Sequence, residues 1–353
     1  MTWAIYPVKQ FAEFSVLWDV LVRSRPGTPF LEHAFLQPAV DTFGSGDGLL
    51  CLHQSDGRLD AGAIVRRAGQ GMWQTFQPSQ LPLGAWVSDP SIELAPAGAE
   101  LLRQLPGLTL GLGASQLDSR TQHRPANGAT VRTQDYIQTA WVEIEGDFDR
   151  YWEARGKNLR QNTRKQRNKL KTEDITTRLE CIVAGEHVAR AIEDYGALES
   201  AGWKAADGTA VHPDNAQGRF YRAMLENFCA LGRARIYRYW FGDKVVAMDL
   251  CIHDDTAIVI LKTAYDESYK LVSPSTLMRQ EEFAQLFEER KFKRIEFYGK
   301  VMEWHTRWTA NTRPIYHANF YRHSVVLRLL DLRAGMRKAA APQTPTARET
   351  DHA

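Results

Sequence analysis

The alternation of apolar and polar residues in the later half of the chain predicts a succession of strands around one helix. Three apolar segments of strand length are separated by short polar turns, at 236–241, 245–253 and 257–263. After a loop, helical spacing of apolar residues fills 275–291, and a short apolar segment at 294–298 predicts another strand. We therefore expect antiparallel strands, then a helix that begins after a loop, then a late strand that ends in polar residues.

The preceding part of the chain shows the same two periods. Helical spacing over 8–24 is followed by patterns for a second short helix, a hairpin, a strand, a helix and a strand. The polar stretch 114–135 is predicted to connect this part to the later half. The later half then begins with segments predicted as a strand (139–144), a helix (147–171), a strand (176–183) and two helices (186–199 and 220–231). The order of elements broadly repeats between the halves, although no sequence repeat accompanies it.

A run of cations lies in the predicted helix 147–171, for which Asp147 is a suitable N-cap. Lys and Arg recur between residues 155 and 171 without an acidic residue among them. Such a run can hold a phosphate, an anionic membrane face or nucleic acid, or it can form a solvated helix face. Neither a helix-turn-helix nor an RNA-binding motif accompanies it, so the run alone does not indicate DNA binding.

Polar residues after the late strand are candidates for proton transfer. His305 or Glu303 could act as a general base, directly or through water, and Lys300 could hold an anion. Trp304 could line the same site or belong to the core. Asp249 lies inside an apolar strand, where it either faces solvent by alternation or lines a cavity in which its pKa would rise.

Four short motifs resemble the BioF-like acetyltransferase domain, the CelD/BcsL group of the GNAT superfamily, which is related to the FemAB transferases. They are Gly-Asp-Lys-Val-Val-Ala (242–247), Lys-Thr-Ala-Tyr-Asp (262–266), Ser-Pro-Ser-Thr-Leu (273–277) and Phe-Tyr-Gly-Lys (297–300). The order and spacing of the motifs carry the resemblance, which covers residues 140–310.

The resemblance implies an α/β fold of two tandem GNAT-like, FemAB-like halves, with mixed, mainly antiparallel sheets flanked by helices. We expect residues 1–135 to form the N-terminal half and residues 136–335 to form the C-terminal acyltransferase half. Residues 336–353, rich in Pro, Thr, Ala and charge, are predicted to be a disordered tail.

The resemblance also implies direct acyl transfer to an amine or hydroxyl, with acetyl-CoA or acyl-CoA as cosubstrate and no permanently bound cofactor. The helix start would bind the CoA phosphates through its backbone N–H groups and dipole. The residues concerned are Ser273, Ser275, Thr276 and Leu277. Ser275 stands where the family commonly has Gly, and the usual GNAT phosphate-loop motif is absent. An ordinary helix cap is the alternative reading.

Other matching positions imply contacts with the acceptor. Trp203 and Lys204 lie on a Gly-flanked loop that could form a lid over the acceptor. The alternative is a loop that Trp203 merely anchors to the protein. Tyr265 and Asp266 match the family's loop motif, although the aspartate could only shape that loop. Tyr298 belongs to the late-strand motif. The resemblance further suggests acceptors in cell-envelope, exopolysaccharide or lipid synthesis.

The composition bears on metal binding, cellular location and partners. The 353-residue chain has a net charge of +2. Its four cysteines are scattered and form no CxxC pair. We therefore expect no structural zinc site, and we expect the protein to work in a reducing compartment. No signal peptide or membrane-spanning stretch is evident, which predicts a cytoplasmic protein or one peripheral at the inner membrane. Expected partners are acyl-CoA, a small-molecule, lipid or glycan acceptor, and an anionic membrane face. Two alternatives stay open: a FemAB-like transferase that uses aminoacyl-tRNA, and an inactive GNAT-like binding module.

Overall fold

A single mixed sheet organises the chain. The computed structural model describes residues 2–55, 57–200 and 211–340, with backbone only for 333–340. The strands are β1 (Thr2–Pro7), β2 (Leu49–Ser55), β3 (Arg58–Gly69), β4 (Met72–Thr75), β5 (Trp86–Ser88), β6 (Gly111–Asp118), β7 (Val131–Glu143), β8 (Thr177–Ile182), β9 (Ala234–Phe241), β10 (Lys244–His253), β11 (Ala257–Tyr265), β12 (Arg294–Glu296) and β13 (Thr312–Tyr321). Their order across the sheet is β1-β2-β3-β4-β6-β13-β7-β12-β11-β10-β9-β8, with β5 beside β3.

Helices cover the sheet, so the predicted α/β class with a mixed sheet flanked by helices is confirmed. The α-helices are α1 (Ser15–Arg23), α2 (His33–Phe43), α3 (Leu94–Gln104), α4 (Phe148–Glu153), α5 (Lys157–Thr172), α6 (Val188–Ser200), α7 (Ala216–Ala230), α8 (Pro274–Glu289), α9 (Glu303–Thr306) and α10 (Ser324–Ala340). Residues 336–340, predicted as the start of a disordered tail, continue α10. Among the described residues, no helix is long and apolar enough to cross a membrane.

The strand β13 joins the two halves of the sheet. It runs antiparallel to β6 on one side and to β7 on the other, although it comes near the end of the chain. Residue 135 lies inside β7, so the predicted boundary falls within a strand, and the division at 135/136 stays a prediction. The stretch 114–135, predicted as a polar connection, therefore includes parts of two strands, β6 and β7.

The predicted helix 147–171 is interrupted and forms α4 and α5. Asp147 caps α4 as predicted, because its side chain accepts a hydrogen bond from Arg150 N–H at 2.8 Å. Gly156 then occupies the N-cap position of α5. Glycine favours a helix boundary, since it carries the largest backbone entropy cost in a helix interior.

A shared hydrophobic core fixes the halves against each other. Phe35 on α2 and Phe220 on α7 are both fully buried, and their ring centroids lie 5.2 Å apart. Phe30, from the short 3₁₀ helix Pro29–Leu31 before α2, packs edge-on against Tyr298, with ring centroids 4.7 Å apart. Aromatic pairs of this geometry stabilise beyond their buried area. The residues after β12 are thus held against the N-terminal half.

Candidate active site

A cleft opens where two neighbouring strands diverge. The strands β11 and β12 pair in parallel only over residues 257–259 and 294–296. Beyond that point β11 continues to Tyr265 with no partner strand on this side among the described residues. The cleft between the diverging segments has a volume of about 530 Å³. The open edge of β11 offers backbone donors and acceptors to an extended ligand.

A β-bulge lies at the floor of this cleft. Leu250 pairs with Lys262 and Cys251 pairs with Ile260, so Leu261 is the additional residue on β11. A bulge re-aims the side chains around it and increases the local twist. Leu261 and Lys262 line the cleft as a result.

The start of α8 forms one wall of the cleft. Ser273 has a left-handed backbone (φ 45°), and Pro274, without an N–H group, opens the helix. The N–H groups of Thr276 and Leu277 both donate to Ser273 O, at 2.9 and 3.2 Å. The N–H of Ser275 and the hydroxyls of Ser275 and Thr276 can bind an anion, whereas the Ser273 hydroxyl donates to Lys270 O at 3.4 Å. All three serine and threonine residues line the cleft. Leu277 is fully buried in the core and does not line it.

Arg279, one turn further along α8, lies at the back of the cleft and was not identified from the sequence. Its Nη2 donates to Asp249 Oδ2 at 3.1 Å and to Thr263 Oγ1 at 3.0 Å. Its guanidinium group lies 4.7 Å from the ring centroid of Trp304. Asp249, predicted as a catalytic residue, is fully buried behind Arg279 and does not line the cleft.

A second carboxyl group completes this buried cluster. Glu282 is fully buried, and burial raises its pKa well above the ordinary value, with the charge of Asp249 acting in the same direction. Its Oε2 atom has no hydrogen-bond partner among the described residues. Burial therefore favours the uncharged form of this carboxyl group. Because a charged residue on the buried stripe of a helix is unusual, Arg279 and Glu282 could have been identified from their spacing with Leu286 and Phe283.

His305 lies in the cleft in a neutral form. Burial, helped by the charge of Arg279, lowers its pKa to about 4. The N–H of Met302 donates to its Nδ1 at 2.9 Å, so the proton of the neutral ring sits on Nε2. The Trp304 ring stacks on it, with centroids 3.5 Å apart. At neutral pH this histidine can donate a hydrogen bond from Nε2, whereas a general base would need an unprotonated nitrogen facing the substrate.

Glu303 and Lys300, both predicted here, lie outside the lining of the cleft. The Glu303 side chain is 84% exposed and pairs with Arg307, Oε1 to Nη2 at 2.8 Å. Lys300 is exposed beside the cleft-lining Gly299. Both residues are exposed, and a direct role as base or anion holder stays a prediction.

The two residues of the loop motif, Tyr265 and Asp266, have different roles. Tyr265 is 40% exposed and lines the cleft, in agreement with a position near a ligand. Asp266 instead accepts from Ser268 N–H at 2.9 Å and pairs with Lys244 Nζ at 2.7 Å. Asp266 thus caps and shapes the loop. Trp203 and Lys204 lie outside the described residues, so their predicted role as an acceptor lid stays a prediction.

Tyr298 belongs to a buried polar network between the halves. Its hydroxyl donates to Asp118 Oδ2 at 3.0 Å, and Arg313 bonds both Asp118 and Glu296. Burial raises the pKa of Tyr298 well above its usual value, with the charge of Asp118 acting in the same direction, so the phenol stays neutral. Its left-handed backbone (φ 51°) turns the chain away from β12 towards Gly299.

A second cleft, of about 400 Å³, adjoins the first. The two clefts share the residues Leu261, Lys262, Phe297 and Gly299. The remaining lining comes from both halves of the chain, as Ser79, Gln80, Pro82, Gln217, Tyr221 and Tyr298. Two separately open clefts with a common wall can bring two substrates together. In the part of the chain that the structure describes, His, Cys, Asp and Glu side chains form no cluster able to hold a metal ion.

Comparisons with known proteins agree with this geometry. Residues 157–306 match the acetyltransferase (GNAT) domain family, whereas no curated protein sequence matches the chain. The fold is similar to that of FemX, with a TM-score of 0.57, 9% identity and coverage of 90% of this chain and 98% of that one.

Two further structures have the same fold. One is a conserved protein of unknown function from Bacteroides thetaiotaomicron, with a TM-score of 0.56, 12% identity and coverage of 88% of this chain and 97% of that one. The other is the C-terminal domain of a putative lysylphosphatidylglycerol synthetase from Agrobacterium fabrum, with a TM-score of 0.53, 12% identity and coverage of 92% and 96%. At these identities the likeness concerns the fold.

Proposed function

We propose that this chain, an acyltransferase whose residues 157–306 form a GNAT acetyltransferase domain, transfers an acyl group from acyl-CoA directly to an amine or hydroxyl. The GNAT and FemAB-like resemblance predicted from the four sequence motifs is confirmed at the level of the family and the fold. One observation carries the proposal. The hydroxyl-rich start of α8, the open edge of β11 and the donor groups of His305 and Arg279 all line one cleft.

Each part of the cleft suits one part of the thioester. The start of α8 and its dipole suit the phosphates of CoA, through the N–H of Ser275 and the neighbouring hydroxyls. The open edge of β11 suits the amide groups of the pantetheine arm, because it can pair with them as a strand would. The Nε2–H of His305 and the guanidinium of Arg279 suit the thioester carbonyl.

The transfer needs no covalent acyl-enzyme. The acceptor nitrogen or oxygen bonds to the thioester carbon, the C–S bond breaks, and the CoA thiolate takes the proton that the acceptor releases. Negative charge develops on the carbonyl oxygen, where preorganised donors lower the barrier. In this mechanism His305 is a donor rather than the predicted base, and Asp249 positions Arg279. Glu303 could assist only through water at the rim.

The resemblance and the fold bear on the chemical class of the acceptor. The resemblance to the CelD/BcsL group supports an acceptor from cell-envelope, exopolysaccharide or lipid synthesis. The fold shared with FemX and with the lysylphosphatidylglycerol synthetase domain is compatible with a cell-envelope role. We propose that the acceptor is a molecule of cell-envelope, exopolysaccharide or lipid synthesis.

A second donor, aminoacyl-tRNA, is favoured by one observation. The exposed side of α5 carries cations without an acidic residue, at Lys157, Arg164, Lys165, Lys169 and Lys171. A surface of this kind can follow an RNA backbone, and its affinity would fall steeply as salt increases. The fully formed cleft at the start of α8 favours acyl-CoA over this alternative and over an inactive binding module.

Thermal unfolding with acetyl-CoA, a long-chain acyl-CoA and ATP tests the donor. A ligand at about 100 times its Kd stabilises by roughly 2.7 kcal/mol, which raises Tm by ~2 °C or more for a chain of this size. We expect a rise with a thioester and a smaller change with ATP, and the stronger thioester indicates the acyl length. No rise with either thioester would overturn the proposal, and binding of aminoacyl-tRNA would then favour the alternative donor.

A further inference from the structure

The second cleft contains groups that the donor does not use. Ser79 and Gln80 come from the loop after β4, and Gln217 and Tyr221 come from α7, so both halves of the chain build it. Its volume of about 400 Å³ is sufficient for a small molecule or one end of a larger one. The first cleft, where the thioester is proposed to bind, is called the donor cleft. The wall that the second cleft shares with it places any occupant beside the thioester.

Lys262 lies in the shared wall, and its charge is countered. Its Nζ lies 3.2 Å from Glu199 Oε1 and 5.4 Å from the ring centroid of Tyr221. Glu199 is buried, and its other oxygen accepts from Val211 N–H at 2.7 Å. Lys262 is the charged residue among the described residues that line this cleft. Since Glu199 balances it, the lining residues that the structure describes give the cleft no excess of positive charge for an anionic acceptor.

The uncharged lining indicates the class of ligand. The amide of Gln80 both donates and accepts hydrogen bonds, and so does the hydroxyl of Ser79. A ligand with several hydroxyl groups matches such a set, because each hydroxyl also donates and accepts. Phe297 and Tyr298 supply aromatic surface for the C–H groups of such a ligand. A long acyl chain would instead require an extended apolar lining.

We propose that the second cleft seats the acceptor, and that the acceptor is an uncharged polyhydroxylated molecule, a sugar or polyol, that is acylated on a hydroxyl. This inference rests on the proposed function. The hydroxyl oxygen bonds to the thioester carbon at the shared wall, the C–S bond breaks, and the thiolate takes the hydroxyl proton. The products are an ester and free CoA.

Two binding measurements test the inference. Saturation-transfer NMR reports binding of methyl glucoside and sorbitol, and calorimetry reports binding of acetyl-CoA. The test variant is Ser79→Ala/Gln80→Ala, and the matched control is Gln161→Ala, at an exposed position on α5. We expect wild type and control to bind a hydroxylated probe, and the double variant to bind it about tenfold more weakly, or ~1.4 kcal/mol. Acetyl-CoA affinity should stay within about twofold in all three proteins, which also shows that they fold.

The outcomes separate this inference from the proposed function. Binding of acetyl-CoA without binding of either hydroxylated probe would overturn the inference alone. Equal probe binding by the double variant and the control would also overturn it, as would acyl transfer to phosphatidylethanolamine vesicles but not to either probe. Probe binding that the double variant loses, in a protein that does not bind acetyl-CoA, would overturn the proposed donor and leave the ligand class of the cleft standing.

Discussion

Arg279 and Asp249 form a buried ion pair directly behind the donor cleft, with Nη2 3.1 Å from Oδ2. Glu282, also fully buried, lies beside them with its pKa raised by burial and then by the charge of Asp249. The cluster therefore places two buried carboxyl groups beside one guanidinium group, and burial favours the uncharged form of Glu282. If the charge of Asp249 is removed, the pKa of Glu282 falls, and its carboxylate can take over the balance of Arg279.

The two members of this pair should differ in what their loss costs. Arg279→Met leaves a buried carboxylate without its cation, and we expect it to lower the free energy of unfolding by about 3–5 kcal/mol. Asp249→Asn should cost less, because Glu282 can ionise and balance Arg279. Urea unfolding at neutral pH measures both changes.

Arg307→Met is the matched control for this pair. Its partner Glu303 is 84% exposed, so the loss should stay below about 1 kcal/mol. If Asp249→Asn proved as costly as Arg279→Met, Glu282 would not be the compensating group. In that case the double variant Asp249→Asn/Glu282→Gln should add no further loss.

Stability should fall as the pH is lowered through the range of histidine. Burial lowers the pKa of His305, and also that of His253, to about 4 in the folded protein. The unfolded chain binds the proton near pH 6.5, so the unfolded state holds more protons between these values. Stability is then complete above pH 6.5 and is lost as the pH falls towards 4, by up to about 3 kcal/mol for each group.

The variant His305→Asn isolates one part of this loss. Urea unfolding at pH 7.5 and pH 5 should show a smaller difference for His305→Asn than for wild type, and His253 should account for the remainder. His187, which is exposed, provides the control variant His187→Asn, whose pH dependence should match that of wild type. An unchanged difference in His305→Asn would show that His305 is not held neutral.

The central elements of the site could be predicted because their signals are local. The β9, β10 and β11 strands and α8 lie close to their expected positions, since alternation and helical spacing report them directly. β13 was not predicted, and its segment contains Pro314, a residue that cannot donate in a ladder. In the structure Pro314 faces Gln138 on β7, whereas pairing with β6 begins only at Ile315. The proline therefore lies just beyond the end of β6.

The chemistry of individual side chains was less accessible from the sequence. His305 was expected to act as a base, but its Nδ1 already accepts from Met302 N–H. The sequence left Asp249 either facing solvent or lining a cavity, whereas the structure buries it behind Arg279. Both outcomes depend on which groups meet in three dimensions. Asp249 and Arg279 are 30 residues apart in sequence and meet because α8 packs against β10.

The hydrogen bond from His305 should matter mainly in the transition state. We expect His305→Ala to lower kcat by about 100-fold, as for the loss of one oxyanion donor, with a small change in the KM for acyl-CoA. His305→Gln should retain part of the activity, because its amide can still donate. Steady-state kinetics with acetyl-CoA and a hydroxylated acceptor would measure both.

The pH dependence of kcat distinguishes a donor from a base. A pKa of about 4 places the titration of His305 below the usual assay range, so wild type should show no rise in kcat near pH 6.5 from this residue. A rise there that disappears in His305→Gln would establish His305 as the base and contradict the donor role.

The network around Tyr298 should connect the stability of the two halves. Tyr298→Phe removes the hydrogen bond to Asp118 at 3.0 Å. Because the acceptor is a buried carboxylate, we expect a loss of about 1–3 kcal/mol in the free energy of unfolding. Tyr136→Phe, at a residue that is 48% exposed on β7, should stay within about 0.5 kcal/mol.

The shape of the unfolding curve adds a second readout. The hydrogen bond between Tyr298 and Asp118 joins residues 180 apart in sequence, and β13 pairs with both β6 and β7. The two halves should therefore unfold together. Urea unfolding followed by fluorescence and by circular dichroism should therefore give coincident transitions in wild type. Tyr298→Phe should move both transitions equally to lower urea. Separate transitions in wild type, or a shift no larger than that of Tyr136→Phe, would mean that this network does not fasten the halves.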